Sequence, residues 1–202
     1  MENWSTVVVA FITGVLGPVI IIIIKNILNK KPAKEDMIID ACKVSGAVVA
    51  KIDEMKEVYS ADRVWVAQFH NGGHFYPTGK SIAKFSIFYE TVSVGTNSIQ
   101  SNLQNIPVNL FSKSINHLLQ DELIIISDFN DETCATHGLK YFAEDNGTYS
   151  QYLFAIRSID KKFIGFLLVD YTKNTELTDQ ELVGLEIDAS ALGGVLMNHL
   201  NR

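Results

Sequence analysis

The sequence begins with a long apolar run that has no charged side chain from Trp4 to Ile24. About 20 apolar residues, at ~1.5 Å each, span the ~30 Å hydrocarbon core of a bilayer. We therefore predict a transmembrane anchor over residues 1–28, in contact with the membrane through residues 4–28. A cleaved signal peptide and a buried core helix are the alternatives. The acidic Glu2 and the length of the run disfavour the signal peptide.

The lysines around this run predict its orientation. Lys25, Lys30, Lys31 and Lys34 follow the run, whereas no lysine or arginine precedes it. Cationic loops are retained on the cytoplasmic side of membranes. The sequence thus predicts a single-pass protein of the inner (cytoplasmic) membrane whose soluble domain lies in the cytoplasm.

Charge and cysteine usage exclude several classes of function. The net charge is −6, and residues 1–34 contribute +3, which leaves −9 on residues 35–202. Phosphate backbones need a positive surface, so nucleic acid is not an expected partner. Cys42 and Cys134 are too few for a disulfide framework or a metal pattern. No catalytic triad or phosphate-cradling glycine pattern occurs at a convincing spacing, so we expect neither an enzyme nor a cofactor.

A polar linker with one proline, NKKPAKE at residues 29–35, separates the anchor from a domain over residues 36–202. Apolar positions at alternating spacings of three and four predict a helix over residues 34–59. The stripe consists of Ile38, Ala41, Ser45, Val48, Ile52, Met55 and Tyr59. It fits a helix packed on its own domain and a helix that also pairs with a second copy, and both remain open.

After this helix the pattern changes to short β-rich runs. Strands are predicted over residues 63–69, 85–94 and 123–126, and helices over residues 108–119 and 139–144. Tyr152–Ser158 and Phe163–Asp170 are typical of a β-hairpin. Thr178 and Glu181 fit a capping box at the start of a closing helix. This mixed order predicts an α+β fold, with helices packed on an antiparallel sheet.

The soluble part resembles a GAF domain. The resemblance rests on the opening RVWVAQFHNGG, on LIIISDF after a helix, and on the hairpin YLFAIRSIDKKFIGFLLVDY with its terminal helix. It implies a GAF-like antiparallel sheet flanked by helices and, as a class, a small-molecule-binding or signalling module. The signatures of cyclic-nucleotide-binding and sulfoxide-reducing members do not occur, and Cys134 is not a convincing bilin attachment site. The resemblance therefore predicts fold better than function.

The segment FHNGGH is the strongest candidate for contact with a ligand. We interpret its His70–His74 part as a turn, where a glycine pair lets backbone amides face a cavity. Neighbouring aromatic residues would supply apolar walls. The predicted ligand-binding residues are His70, Asn71, Gly72, Gly73, His74, Phe85, Tyr89, Tyr152 and Phe166. A polar turn without a ligand is the alternative, as is a metal site at the two histidines, although no third metal ligand is indicated.

Isolated charges elsewhere have ordinary interpretations. Lys80, Lys84 and Glu90 are expected to be solvated charges on or before the second strand. Asp128 and Asp170 both end strand-like runs, and aspartate at a strand end is a common turn former.

Competing functions remain. The leading hypothesis is a membrane-tethered sensory or regulatory module that binds a small ligand or a protein partner. It would act on an output protein in trans. We also expect a homodimer, with residues 34–59 and 178–200 at or beside the interface. The others are a ligand-free membrane scaffold, a holin-like or exclusion protein of a phage and, least supported, an enzyme. An enclosed pocket behind FHNGGH would favour the sensory module, and a filled core would favour the scaffold.

Overall fold

The computed structural model of the chain describes residues 4, 11–28, 37–75, 77–120, 123–129 and 138–200. The chain divides into two compact units, Met1–Asp40 and Ala41–Arg202. The predicted linker at residues 29–35 and Cys134 lie outside the described residues, as do residues 1–3 and 5–10 of the predicted anchor.

The apolar run is helical where it is described. A π-helical turn at Ile12–Leu16 leads into helix α1 at Gly17–Leu28, and the Gly17 N–H donates to the Ile12 carbonyl. Pro18 has no N–H for the carbonyl one turn earlier, which accounts for a locally widened helix there. No helix within the described stretches is both long and apolar enough to cross a bilayer.

Six antiparallel strands of the second unit form a single sheet in the order β3-β2-β1-β6-β5-β4. Their bounds are β1 Arg63–His74, β2 Ser81–Val92, β3 Ile106–Pro107, β4 Leu123–Ile126, β5 Ser150–Arg157 and β6 Phe163–Tyr171. Strand β1 is central and pairs with both β2 and β6. The predicted α+β class, the antiparallel sheet and the β5–β6 hairpin are confirmed.

Two long helices, α2 (Met37–Val58) and α5 (Asp179–Leu200), supply the apolar residues that cover one face of the sheet, which we call the helix-pair face. Val48, Ile52 and Met55 of α2 are fully buried in this layer. Ile38, at the start of the predicted stripe, is 72% exposed. The middle of the stripe therefore packs on its own domain.

The opposite face of the sheet carries an aromatic core, which we call the aromatic face. It is covered by α3 (Ser112–Gln120), which a 3-10 turn at Val108–Phe111 precedes, by α4 (Leu139–Asp145) and by the loop between β2 and β3. Trp65, Phe85 and Phe166 lie at its centre and are buried. Apolar residues therefore fill both faces of the central strands, which explains their nearly continuous hydrophobic runs.

The prediction of a turn at His70–His74 is wrong, because strand β1 continues to His74. A β-bulge between Asn71 and His74 takes up the positive φ of Gly73, +72°, without reversing the chain. The reversal comes later, where the Phe75 N–H donates to the Lys80 carbonyl at 2.8 Å. Strand β2 accordingly starts at Ser81 and is longer than predicted.

The capping box is confirmed at the start of α5. The Thr178 N–H donates to Glu181 Oε2 at 2.8 Å, and the Glu181 N–H donates back to Thr178 Oγ1 at 3.3 Å. Hydrogen bonds from the Thr178 backbone and hydroxyl hold the pKa of the Glu181 carboxyl below its usual value. This part of α5 stability is therefore present above the ordinary glutamate pKa and is lost as pH falls through the lowered value.

Candidate functional site

His70 is tied to a small polar and aromatic cluster on β2. Its Nε2 lies 2.9 Å from Ser86 Oγ, which also accepts the Asn105 N–H at 2.8 Å. Its ring lies edge-on to Phe88, with centroids 6.2 Å apart. Phe88 sits where the register between β1 and β2 shifts, and its side chain is 47% exposed. The irregularity places an aromatic ring at the surface directly after the buried residues Phe85, Ser86 and Ile87.

An open groove of about 400 Å³ lies beside this ring, and we call it the Phe88 groove. Its lining residues are Ile87, Phe88, Ser98, Gln100, Ser101 and Gln104. The Gln100 side-chain amide donates to the Phe88 carbonyl, and that of Gln104 donates to the Ile87 carbonyl, both at 2.8 Å. Side-chain amides thus take the place of a neighbouring strand along this edge of β2, and they hold the outer wall of the groove.

A buried charged network, which the sequence did not reveal, lies at the start of β1. Arg63 is 1% exposed, and its Nη1 lies 3.1 Å from Asp170 Oδ2. Asp170 also accepts hydrogen bonds from the Trp65 indole at 3.0 Å and from the Gln151 amide. Glu90 Oε1 lies 3.7 Å from Arg63 Nε. Burial raises the pKa of the Asp170 carboxyl above its usual value, and the Arg63 guanidinium opposes this rise.

This network also anchors the groove wall. Glu90 accepts the backbone N–H groups of Ile99 at 2.9 Å and Gln100 at 3.1 Å. Arg63 donates to the Asn97 carbonyl through Nε and Nη2, at 3.2 and 3.0 Å. The side chains of Glu90 and Asp170 are each 3% exposed, so their interpretation as a solvated strand charge and a turn former is wrong. No local pattern marks them, because their partners are distant in sequence.

The nine predicted site residues do not surround one cavity. Phe85 and Phe166 belong to the aromatic face, whereas Tyr152 and Tyr89 pack on the helix-pair face. A six-stranded sheet separates the two pairs. Of the predicted residues in β1, His70 contacts the cluster beside the groove. Asn71, Gly72, Gly73 and His74 continue along β1 beyond it.

Among the described residues, no group of three or more histidine, cysteine, aspartate or glutamate side chains is placed to hold a metal ion. Cys42 is exposed on α2.

Solved structures of similar shape are GAF domains. The blue-light-absorbing form of the PixJ GAF domain from Thermosynechococcus elongatus has a TM-score of 0.62 at 14% identity, covering 80% of this chain and 89% of that one. The photoproduct state of the GAF3 domain of a Synechocystis protein gives 0.60 at 16%, covering 76% and 92%. A phycoerythrobilin-bound GAF domain from a cyanobacterial phytochrome gives 0.60 at 15%, covering 77% and 86%. The chain has the GAF fold.

Sequence comparison adds no family beyond this fold. No protein-family model and no curated protein sequence matches the chain. At identities of 14–16% the GAF neighbours establish the architecture alone, and the site must be argued from this chain's own residues.

Aromatic side chains fill the interior of this domain behind His70. Phe85 contacts the Phe111 and Phe166 rings edge-on, each at a centroid distance of 5.1 Å. Phe69 packs on Phe163 at 4.8 Å. These rings occupy the volume in which an enclosed ligand was expected. The Phe88 groove lies outside this filled region, at the surface of the domain.

Proposed function

We propose that this GAF-fold protein is a non-enzymatic regulatory module that binds a small planar ligand in the Phe88 groove. The observation that carries the proposal is an exposed aromatic ring beside a fixed, uncharged wall. Both N–H groups of the Gln104 amide are used, at 2.8 Å to the Ile87 carbonyl and 2.6 Å to the Gln100 carbonyl. Its oxygen remains as an acceptor, so a flat ligand with N–H donors fits the groove best.

The proposal includes a membrane tether and a cytoplasmic domain. The charge-free run over residues 4–24 and the lysines that follow it support both parts. A signal from the groove would then pass to an output protein in trans at the membrane.

A ligand-free scaffold is the second candidate, and the filled aromatic interior favours it. Phe85, Phe111 and Phe166 occupy the space that an enclosed ligand would need. On this alternative, the Phe88 groove receives no small molecule and the domain works only through protein contacts.

Native mass spectrometry of the full chain, released from detergent, tests the groove. We expect a retained small-molecule mass that is weakened in Phe88→Ala, since losing an aromatic stack costs about 1 kcal/mol, or roughly fivefold in affinity. Val94→Ala is the matched control, because Val94 is fully exposed on the turn after β2. A wild-type chain that carries no added mass, and gains none from a metabolite extract, would support the scaffold.

The proposed homodimer uses the outer surfaces of α2 and α5. These helices are joined by an ion pair between Lys51 Nζ and Asp188 Oδ1 at 2.9 Å. Val183 and Ile187 of α5 are 54% and 64% exposed, and Val49 of α2 is 38% exposed. We propose that these exposed apolar residues pack against a second copy.

We expect Ile187→Glu to produce folded monomers, because its carboxylate would be buried only in the dimer. The subunit number from native mass spectrometry is the measurement. Ile159→Glu, on the β5–β6 turn where Ile159 is 85% exposed, should leave the dimer intact. Ile52→Glu cannot serve, since Ile52 is fully buried within its own domain. A monomeric wild-type chain would contradict the prediction.

A further inference from the structure

Strands β1 and β2 extend beyond the ends of their neighbouring strands and form a two-stranded arm. The last pair between β1 and β6 is Gln68 with Gly165, and β2 pairs with β3 only at Lys84 and Phe85. Beyond these points, residues 70–74 pair within the sheet only with β2. We call the described residues of this stretch, 70–75 and 77–84, the β-arm.

The tip of the β-arm presents an aromatic side chain to solvent. Phe75 is 53% exposed, although its backbone is well held. Its carbonyl accepts the Gly79 N–H at 2.8 Å, and its N–H donates to the Lys80 carbonyl at 2.8 Å. Thr78 Oγ1 also accepts the Lys80 N–H at 3.3 Å. The hydrogen-bonded turn therefore holds the Phe75 side chain in an exposed position at the tip.

The β-arm is cationic in an acidic domain. None of the 23 aspartates and glutamates of the chain lies between Arg63 and Tyr89, whereas residues 35–202 carry −9. Lys80 is exposed on the turn, and Lys84 lies across Gly72, where an added Cβ would stand 3.0 Å from its Cδ. The arm thus combines an apolar tip with positive charge and has no acidic side chain of its own.

We propose that the β-arm docks on an anionic lipid surface, with Phe75 in the interfacial layer and Lys80 among the headgroups. Aromatic rings favour the boundary between headgroups and acyl chains. Lysines close to an anionic leaflet add electrostatic attraction. The contact would hold the domain against the membrane by a surface independent of the N-terminal run.

The length of the β-arm keeps the acidic remainder of the domain away from an anionic membrane that the tip contacts. Residues 70–74, at about 3.3 Å each, extend about 16 Å, which is roughly twice the ~8 Å Debye length at physiological ionic strength. The carboxylates of the body are therefore screened from a membrane that the tip touches. A nucleic acid long enough to contact both arm strands would come closer to that body, so a lipid surface fits better.

Full-length chain in nanodiscs tests the proposal. We expect amide hydrogen exchange of residues 70–84 to slow at least severalfold when phosphatidylserine is added to phosphatidylcholine. Phe75→Trp should gain fluorescence quenching by brominated lipid, with the wild-type chain, which has Trp4 and Trp65, as the blank. If the chain does not insert into the nanodisc bilayer, the proposal of a membrane tether is wrong. The β-arm is then tested separately, by co-sedimentation of the chain with vesicles of the same lipids.

Two variants and a matched control complete the test. Phe75→Ser and Lys80→Glu should each abolish the phosphatidylserine-dependent slowing of exchange. Both positions are exposed, so the melting temperature should not change. Ile159→Ser alters the exposed apolar residue of the β5–β6 turn, which has Asp160 beside it, and should leave the slowing unchanged. Equal exchange on both lipids would overturn the proposal, as would protection by single-stranded DNA but not by lipid.

Discussion

Replacing Arg63 by methionine should lower the free energy of unfolding by about 3–5 kcal/mol, the usual cost of removing one partner from a buried ion pair. Methionine approximates the length of the side chain but removes the charge that faces Asp170 and Glu90. Both carboxylates, each 3% exposed, would lose their cation. Denaturant unfolding of the solubilised chain, followed by Trp65 fluorescence, is a direct measurement because the Trp65 indole donates to Asp170.

The loss of unfolding free energy in Arg63→Met should depend on pH in a defined direction. Burial already raises the pKa of Asp170 above its usual value, and Arg63 opposes that rise. Without Arg63 the folded state would bind a proton more tightly than the unfolded state. The variant should then be most stable at acidic pH and lose stability as pH rises through the raised pKa. Its deficit against the wild-type chain should therefore narrow on acidification.

Lys51→Met is the control for this change, because it removes a cation from the more exposed pair with Asp188. Surface pairs contribute about 0–1 kcal/mol, so the effect should be small. If Arg63→Met were equally mild, the charged network would not be what stabilises this end of the sheet. The wall of the Phe88 groove should loosen in Arg63→Met, since Arg63 donates twice to the Asn97 carbonyl.

Two adjacent glycines of α5 should respond oppositely to alanine. A Cβ on Gly193 would lie 2.2 Å from the Arg157 carbonyl oxygen, a backbone atom that cannot move away cheaply. Gly193→Ala should therefore destabilise the domain by about 1–3 kcal/mol or more. A Cβ on Gly194 would meet nothing within 4 Å, so Gly194→Ala should gain up to about 1 kcal/mol of helix propensity.

Melting temperatures of the two variants provide the comparison, at about 2–4 °C per kcal/mol for a chain of this size. A downward shift in Gly193→Ala and an upward shift in Gly194→Ala are expected. Equal losses in both would mean that α5 packs with both glycines against a neighbour. The separation of one residue makes each variant the control for the other.

Features that rest on near neighbours in the chain could be predicted. The β5–β6 hairpin, the strand at Leu123–Ile126 and the Thr178–Glu181 capping box were each identified, because alternation and capping involve residues within a few positions. The resemblance to GAF domains, confirmed at the level of fold, came from the order of these local elements. The apolar run near the N-terminus belongs to the same class of local signal.

The candidate site depended on long-range placement and was predicted poorly. Whether Phe85 and Tyr152 line one cavity is decided by the face of the sheet that each occupies, and the structure puts them on opposite faces. A strand pattern shows alternation but does not assign two distant strands to a common side. The glycines after His70 were equally ambiguous, because a bulge and a turn both use a positive φ.

By itself the sequence determined the class of most elements, the approximate length of several of them and the excess of negative charge after the apolar run, since these follow from composition and short-range periodicity. Only the tertiary structure decided which charges are buried. Arg63 and Asp170 are separated by 107 positions, yet they lie 3.1 Å apart at 1% and 2% exposure. Their burial is tolerable because folding brings opposite charges and hydrogen-bond donors together, and neither residue carries that information in its local surroundings.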